Sequence, residues 1–120
     1  MAEHNDLGNA GEELACKHLR KKGYEILKTN WRFGKDEVDI IAQKEDMIVF
    51  IEVKTRSSRF YGEPYVFVTK KKQKFLQRAA DAYFDRYDCE LEGRFDVISI
   101  VINGNESSLE HIERAFYPVI

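Results

Sequence analysis

The sequence predicts an α/β fold, a mixed sheet flanked by helices in the order α-β-β-β-α-β. Three observations predict it. Residues 7–22 and 69–87 carry apolar side chains at helical spacing. Residues 24–54 divide into three apolar, strand-like runs separated by short polar turns. A fourth run, residues 94–102, follows the second helical stretch. A chain of 120 residues fits one domain, residues 1–120, and can bury roughly two-thirds of its unfolded surface, so it needs no disulfide or metal staple.

The first helix is expected over residues 7–22, with Asn5 or Asp6 as N-cap and Gly23 as its stop. Residues 24–33 read as a strand, and Gly34-Lys35-Asp36 as a turn. Residues 37–43 form the second strand, Lys44-Glu45-Asp46 a tight turn, and residues 47–54 the third strand. Such short connections predict antiparallel hairpins. Residues 55–65 read as a loop. Thr69 is a good N-cap for a helix running to Tyr87, whose apolar stripe is Leu76, Ala79, Ala80, Tyr83, Phe84 and Tyr87. Asn103-Gly104-Asn105 ends the fourth strand, and residues 110–117 read as an edge strand.

No apolar stretch is long enough to span a membrane. The polar, acidic start is unlike a secretory signal, and Cys16 and Cys89 stand without a CxxC pair, so the expected setting is the cytoplasm with both thiols reduced. The formal net charge of −2 weighs against a simple nucleic-acid binder. Its distribution weighs the other way: basic residues cluster at Arg20-Lys21-Lys22, from Arg56 to Arg59, and at Lys70-Lys71-Lys72 with Lys74 and Arg78.

The chemistry concentrates in two adjacent runs, Glu37-Val38-Asp39-Ile40-Ile41-Ala42 and Ile48-Val49-Phe50-Ile51-Glu52-Val53-Lys54. Charged residues are rarely buried unless paired or bound to metal. Strand alternation puts Ile48, Phe50, Glu52 and Lys54 on one face of the third strand. In the second strand it puts Asp39 on a face with Ile41, opposite Val38 and Ile40. If the hairpin aligns these faces, Asp39 comes close to Glu52 and Lys54. Oxygen ligands of this kind suit Mg²⁺ or Mn²⁺. The competing reading leaves Glu52 and Lys54 on a solvent face; the buried look of Ile48 and Phe50 weighs against it.

Glu12 shares a helical stripe with Ala15, Cys16 and Leu19, so it either joins the acidic site or simply favours the helix dipole. Lys70, Lys71, Lys72 and Lys74 open the second helix, where cations oppose the dipole. A bound phosphate backbone would compensate; a solvated charge run is the alternative. Gln73 could add a polar contact. Phe60-Tyr61 either stack on bases or pack against the protein. His4, His18 and His111 show no metal-ligand spacing, and no nucleophile elbow, Walker loop or dinucleotide fingerprint is present.

These residues resemble a known pattern. Asp39, twelve intervening residues and then Glu52-Val53-Lys54 look like the core of the PD-(D/E)XK nuclease superfamily. The motifs Gly8-Asn9-Ala10-Gly11-Glu12-Glu13-Leu14-Ala15, Gly23-Tyr24-Glu25-Ile26-Leu27, Asn30-Trp31-Arg32 and Phe50-Ile51-Glu52-Val53-Lys54-Thr55-Arg56 resemble the YraN-like family. So do Val68-Thr69 with Lys72-Gln73, and Arg94-Phe95-Asp96-Val97. The resemblance covers residues 8–101 and implies a restriction-endonuclease-like fold close to Holliday-junction resolvases. It implies a metal held by Asp39, Glu52 and the Val53 carbonyl, Lys54 as the catalytic lysine, and Glu12 completing the site. Val38 stands where the superfamily's nominal proline would be. The implied activity is Mg²⁺- or Mn²⁺-dependent cleavage of DNA, including branched DNA, by a homodimer. Arg56, Lys70, Lys72 and Gln73 are the expected nucleic-acid contacts. Two other classes stay open: a nucleic-acid-binding or adaptor protein that keeps the fold without cleaving, and a protein-interaction module.

Overall fold

The computed structural model describes residues 2–57 and 68–117, with side chains from residue 7 onward. Its elements are helix α1 (Ala2–Lys21), strands β1 (Glu25–Phe33), β2 (Asp36–Lys44) and β3 (Met47–Arg56), helix α2 (Lys70–Arg86), and strands β4 (Glu92–Asn103) and β5 (Glu106–Ile112). The sheet runs β1-β2-β3-β4-β5 in space. β3 and β4 are parallel, and the other neighbours are antiparallel. The fold is the expected mixed α/β architecture, an α-β-β-β-α-β core with β5 added at one edge.

The run Ile48-Val49-Phe50-Ile51 is unbroken because β3 is covered on both faces. Val49 and Ile51 pack with Ala15, Cys16 and Leu19 of α1. Ile48 and Phe50 pack with Phe75, Leu76, Ala79, Ala80 and Tyr83 of α2. Phe50 is fully buried and meets the rings of Tyr83, Phe84 and Phe95. Burial of one such side chain contributes about 1.5–3 kcal/mol. Thr69 caps α2 as expected, its Oγ1 accepting from the Lys72 N–H at 3.1 Å. Cys16 and Cys89 are free thiols. No described helix is long and apolar enough to cross a membrane.

The structure corrects five expectations. Helix α1 begins at Ala2, so Asn5 and Asp6 lie inside it rather than capping it. No Pro or Gly precedes Leu7 to stop the extension. Tyr87 is the α2 C-cap and is exposed, not part of the apolar stripe; Phe75 is buried instead. Strand β5 is Glu106–Ile112 rather than 110–117, because Gly104-Asn105 turns the chain straight back and pairs Asn103 with Glu106. Its polar start, Glu106-Ser107-Ser108, is exposed and carries no apolar alternation to read. Val38 packs with Ile41 on the α2 side while Ile40 faces α1, so the alternation breaks around Asp39. Asn30, in the left-handed region at φ 50°, sits across from that break in β1. Phe60, Tyr61 and most of the loop expected at 55–65 lie outside the described residues; Thr55 and Arg56 extend β3.

Candidate functional site

Asp39 sits where β2 and β3 part. Their ladder pairs Ile40 with Ile51 and goes no further, while β3 stays paired to β4 through Arg56. The Val53 N–H, beyond the end of that ladder, donates to Asp39 Oδ2 at 2.8 Å. The side-chain carboxylate thus takes the place of a strand carbonyl. Glu52 precedes Val53 on β3, and its side chain is 14% exposed. Its Oε1 is sealed from solvent and accepts no hydrogen bond among the described residues; the Lys72 ammonium of α2 lies 3.5 Å away as an ion-pair partner.

The electrostatics follow from two acids sharing a poorly solvated place. Burial, then the neighbouring Glu52 charge, pushes the Asp39 carboxyl up to about 7. The Glu52 carboxyl is also raised by burial, and the cations Lys72 and Lys54 oppose the rise. Lys54 shares β3 with Glu52 two residues on and is half-buried. Glu12 is raised by burial first and the Asp39 charge second, which places it in the same electrostatic neighbourhood. Asn30 Nδ2 donates to its Oε2 at 3.3 Å. Among the described residues, no three His, Cys, Asp or Glu side chains form a ready-made metal cage. The tight pair is Asp39 and Glu52, with Glu12 beside it and held by Asn30.

The chain matches the model of the uncharacterised protein family UPF0102 over residues 11–100. It is 52% identical to a UPF0102 protein of Flavobacterium psychrophilum over 117 residues, covering 98% of each chain. Identity to the UPF0102 proteins of Flavobacterium johnsoniae and Bacteroides thetaiotaomicron is 47% and 44%, again over 98% of each chain. The chain belongs to the UPF0102 family. Glu12, Asp39, Glu52, Val53, Lys54, Arg56, Lys70, Lys72 and Gln73 of this UPF0102 chain all fall inside the matched span.

The donor set of this UPF0102 protein fits a hard divalent cation. Asp39 and Glu52 offer carboxylate oxygens, one of them buried without a hydrogen bond. Mg²⁺ needs only one or two protein carboxylates, the rest of its shell being water and substrate oxygen. A cation would also offset the Glu52 charge that, after burial, raises the Asp39 carboxyl. On α2, whose Lys72 meets Glu52, Lys70, Lys71 and Lys74 are exposed, and the first turn contains no acid to neutralise them. Gln73 is turned inward: its Nε2 donates to the Val68 carbonyl at 3.1 Å, bracing the entry to α2. Arg56 is half-buried at the end of β3.

Two participants escaped the sequence reading. Lys72, expected at a phosphate, is the partner of Glu52, a contact between elements that sequence spacing does not encode. Asn30 anchors Glu12; its legible signals were a turn-prone residue inside a strand-like run and its place in the motif Asn30-Trp31-Arg32, neither of which names a partner.

Proposed function

We propose that this UPF0102 protein is a Mg²⁺- or Mn²⁺-dependent endonuclease of the PD-(D/E)XK type that hydrolyses DNA phosphodiesters, with branched DNA among its substrates. The observation that carries the reading is the buried pair Asp39 and Glu52, both carboxyls raised by burial, with Lys54 two residues beyond Glu52. Asp39, Glu52 and the Val53 carbonyl would hold the cation. When bound, it supplies charge neutralisation at a phosphoryl oxygen and a lowered pKa for water.

The chain's own residues do the rest. The Val53 N–H fixes the Asp39 carboxylate. Lys54 orients the attacking water and faces the negative charge that develops at phosphorus. Glu12, steadied by Asn30, adds a third carboxylate at the margin of the pair. Lys72 offsets the Glu52 charge. Lys70, with Arg56 and the exposed lysines of α2, contacts the phosphate backbone and Gln73 shapes that surface. A four-way junction presents symmetric strands, so the working form is a homodimer. A second reading, a nucleic-acid-binding protein that does not cleave, is favoured by one observation: Lys72 already pairs with Glu52.

The test is cleavage of four-way-junction, flap, single-stranded and linear duplex DNA with Mg²⁺ or Mn²⁺. Wild type is expected to cleave at least one of them, and Glu52→Ala and Lys54→Ala to lose that cleavage. DNA binding by wild type without cleavage of any substrate would favour the second reading. Neither cleavage nor binding would sink both.

A further inference from the structure

A second cluster of ionisable groups lies at the other end of the sheet, where β2 and β5 end and β4 begins. Asp96 is fully buried there. Its Oδ1 accepts from Arg94 Nε at 3.0 Å and from the Arg114 N–H at 3.1 Å. Its Oδ2 accepts from Arg94 Nη2 and faces His111 Nε2, both at 2.7 Å. A carboxylate only accepts, so His111 Nε2 carries the hydrogen. His111 Nδ1 and His18 Nε2 lie 3.0 Å apart and share one hydrogen between the two rings. The ring nitrogen left open is His18 Nδ1. A proton added there leaves every hydrogen bond of the Asp96–His111–His18 chain in place.

That chain borders a cavity of about 340 Å³ lined by His18, Lys22, Tyr24, Lys44, His111 and Glu113. Tyr24 Oη accepts from Arg94, which leaves its own hydrogen free to donate. Lys44 Nζ reaches the Lys22 carbonyl and lies 5.2 Å from the centre of the Tyr24 ring. It passes so close to Gly23 that a Cβ there would sit 2.9 Å from the ammonium. Both carboxylates of the cluster are held by Arg94: Asp96 directly, and Glu113 with its Oε1 4.0 Å from Arg94 Nη1. The Lys22 and Lys44 ammoniums have no carboxylate partner among the described residues. The cavity therefore has two ammoniums, a hydroxyl donor and an imidazole that can take up a proton.

We propose that this cavity binds a phosphate group, either inorganic phosphate or the terminal monoester of a polynucleotide strand. Hydroxyl, imidazolium and ammonium donors on several sides suit a tetrahedral dianion. The site is separate from the Asp39–Glu52 pair and does not rest on the nuclease reading. Without a ligand, burial, then His111 and Lys22, hold the His18 imidazole below its ordinary value. An anion reverses the electrostatic part of that balance, so binding takes up a proton at His18.

The experiment follows the imidazole nitrogen shifts of the full chain while inorganic phosphate is titrated in. Saturable binding read at His18 is expected, weakened at least several-fold by Lys22→Glu, and by His18→Gln as read at His111. Lys22 is exposed, so its variant is expected to fold normally. Sulfate, whose charge is constant over this range, reads the protein's own proton. Its affinity is expected to fall about tenfold per pH unit above the His18 pKa. A short oligonucleotide with a 5′-phosphate is compared with its 5′-hydroxyl twin. Tighter binding of the phosphorylated form assigns a strand terminus, and equal binding beside a phosphate-induced shift assigns the free anion. Absence of a saturable His18 shift with phosphate and with both oligonucleotides, or shifts indifferent to both substitutions, would overturn the proposal.

Discussion

Replacing Gly11 by Ala tests how α1 is seated over the site. Gly11 lies where the helix crosses β3. A Cβ built on it would lie 1.9 Å from Thr55 Oγ1 and 2.9 Å from both Thr55 Cβ and Cγ2. Ordinary contact begins at 3.4 Å, so the helix and strand must separate by roughly 1.5 Å unless Thr55 yields. Thr55 yields poorly: it is β-branched, and rotation about χ1 leaves its Cβ where it was. Ala gains about 0.5–1 kcal/mol over Gly in a helix, but overpacking of this kind costs about 1–3 kcal/mol. The expected net loss is about 1–2 kcal/mol, equivalent to a fall in Tm of about 4–8 °C for a chain of this size. Urea unfolding of wild type, Gly11→Ala, Thr55→Ala and the double variant measures it. Thr55→Ala removes the closest atom, so the double variant should show a coupling energy of about 1 kcal/mol. If Gly11→Ala alone raised stability, as it would at an unobstructed helix position, this account of the α1–β3 contact would be refuted.

The other expectations concern charges and caps. Asp96→Asn should destabilise by about 3–5 kcal/mol at pH 7, because Arg94 loses a buried partner. Asp96 is held below the ordinary carboxyl value, against the pull of its own burial, by its bonds to His111, Arg94 and the Arg114 N–H. Its stabilising contribution is therefore complete above the unfolded carboxyl pKa and lost as pH falls through the folded one. Urea midpoints should converge between wild type and variant in acid and stay apart at neutral pH. Asp39→Asn should act in the opposite direction. A folded carboxyl raised to about 7 lowers stability as pH climbs from the unfolded value to that point. In metal-free protein the variant should exceed wild type by roughly 1–3 kcal/mol at pH 8 and show little advantage at pH 4, read by thermal melts. Thr69→Ala should cost about 1 kcal/mol by removing the α2 cap, measured by urea unfolding.

The sheet was legible because its signals are local. Polar turns at Gly34-Lys35 and Glu45-Asp46 separate runs long enough to pair, and the hairpins formed as read. The buried look of the Ile48 and Phe50 face was legible; the cover that α1 gives Val49 and Ile51 on the other face was not. The pairing of β3 with β4 left no local trace, since it depends on how α2 packs against the sheet. Strict alternation correctly brought Asp39 towards Glu52 but failed at Val38, because the departure at Asn30 belongs to the neighbouring strand. Lys72 looked like a free cation because its ion-pair partner Glu52 lies 20 residues earlier in the chain. The Asp96–His111–His18 chain joins β4, β5 and α1; only the motif Arg94-Phe95-Asp96-Val97 marked it, and a motif gives no partner.

Asp39 and Glu52 together are proposed to hold a divalent cation. Calorimetric titration of Mn²⁺ into metal-free wild type, Asp39→Asn and Glu52→Gln at pH 7.5 tests it most directly. The expected result is saturable binding by wild type, lost or weakened at least tenfold in each variant, about 1.4 kcal/mol or more. Binding of equal strength in all three proteins, or none in wild type, would contradict it.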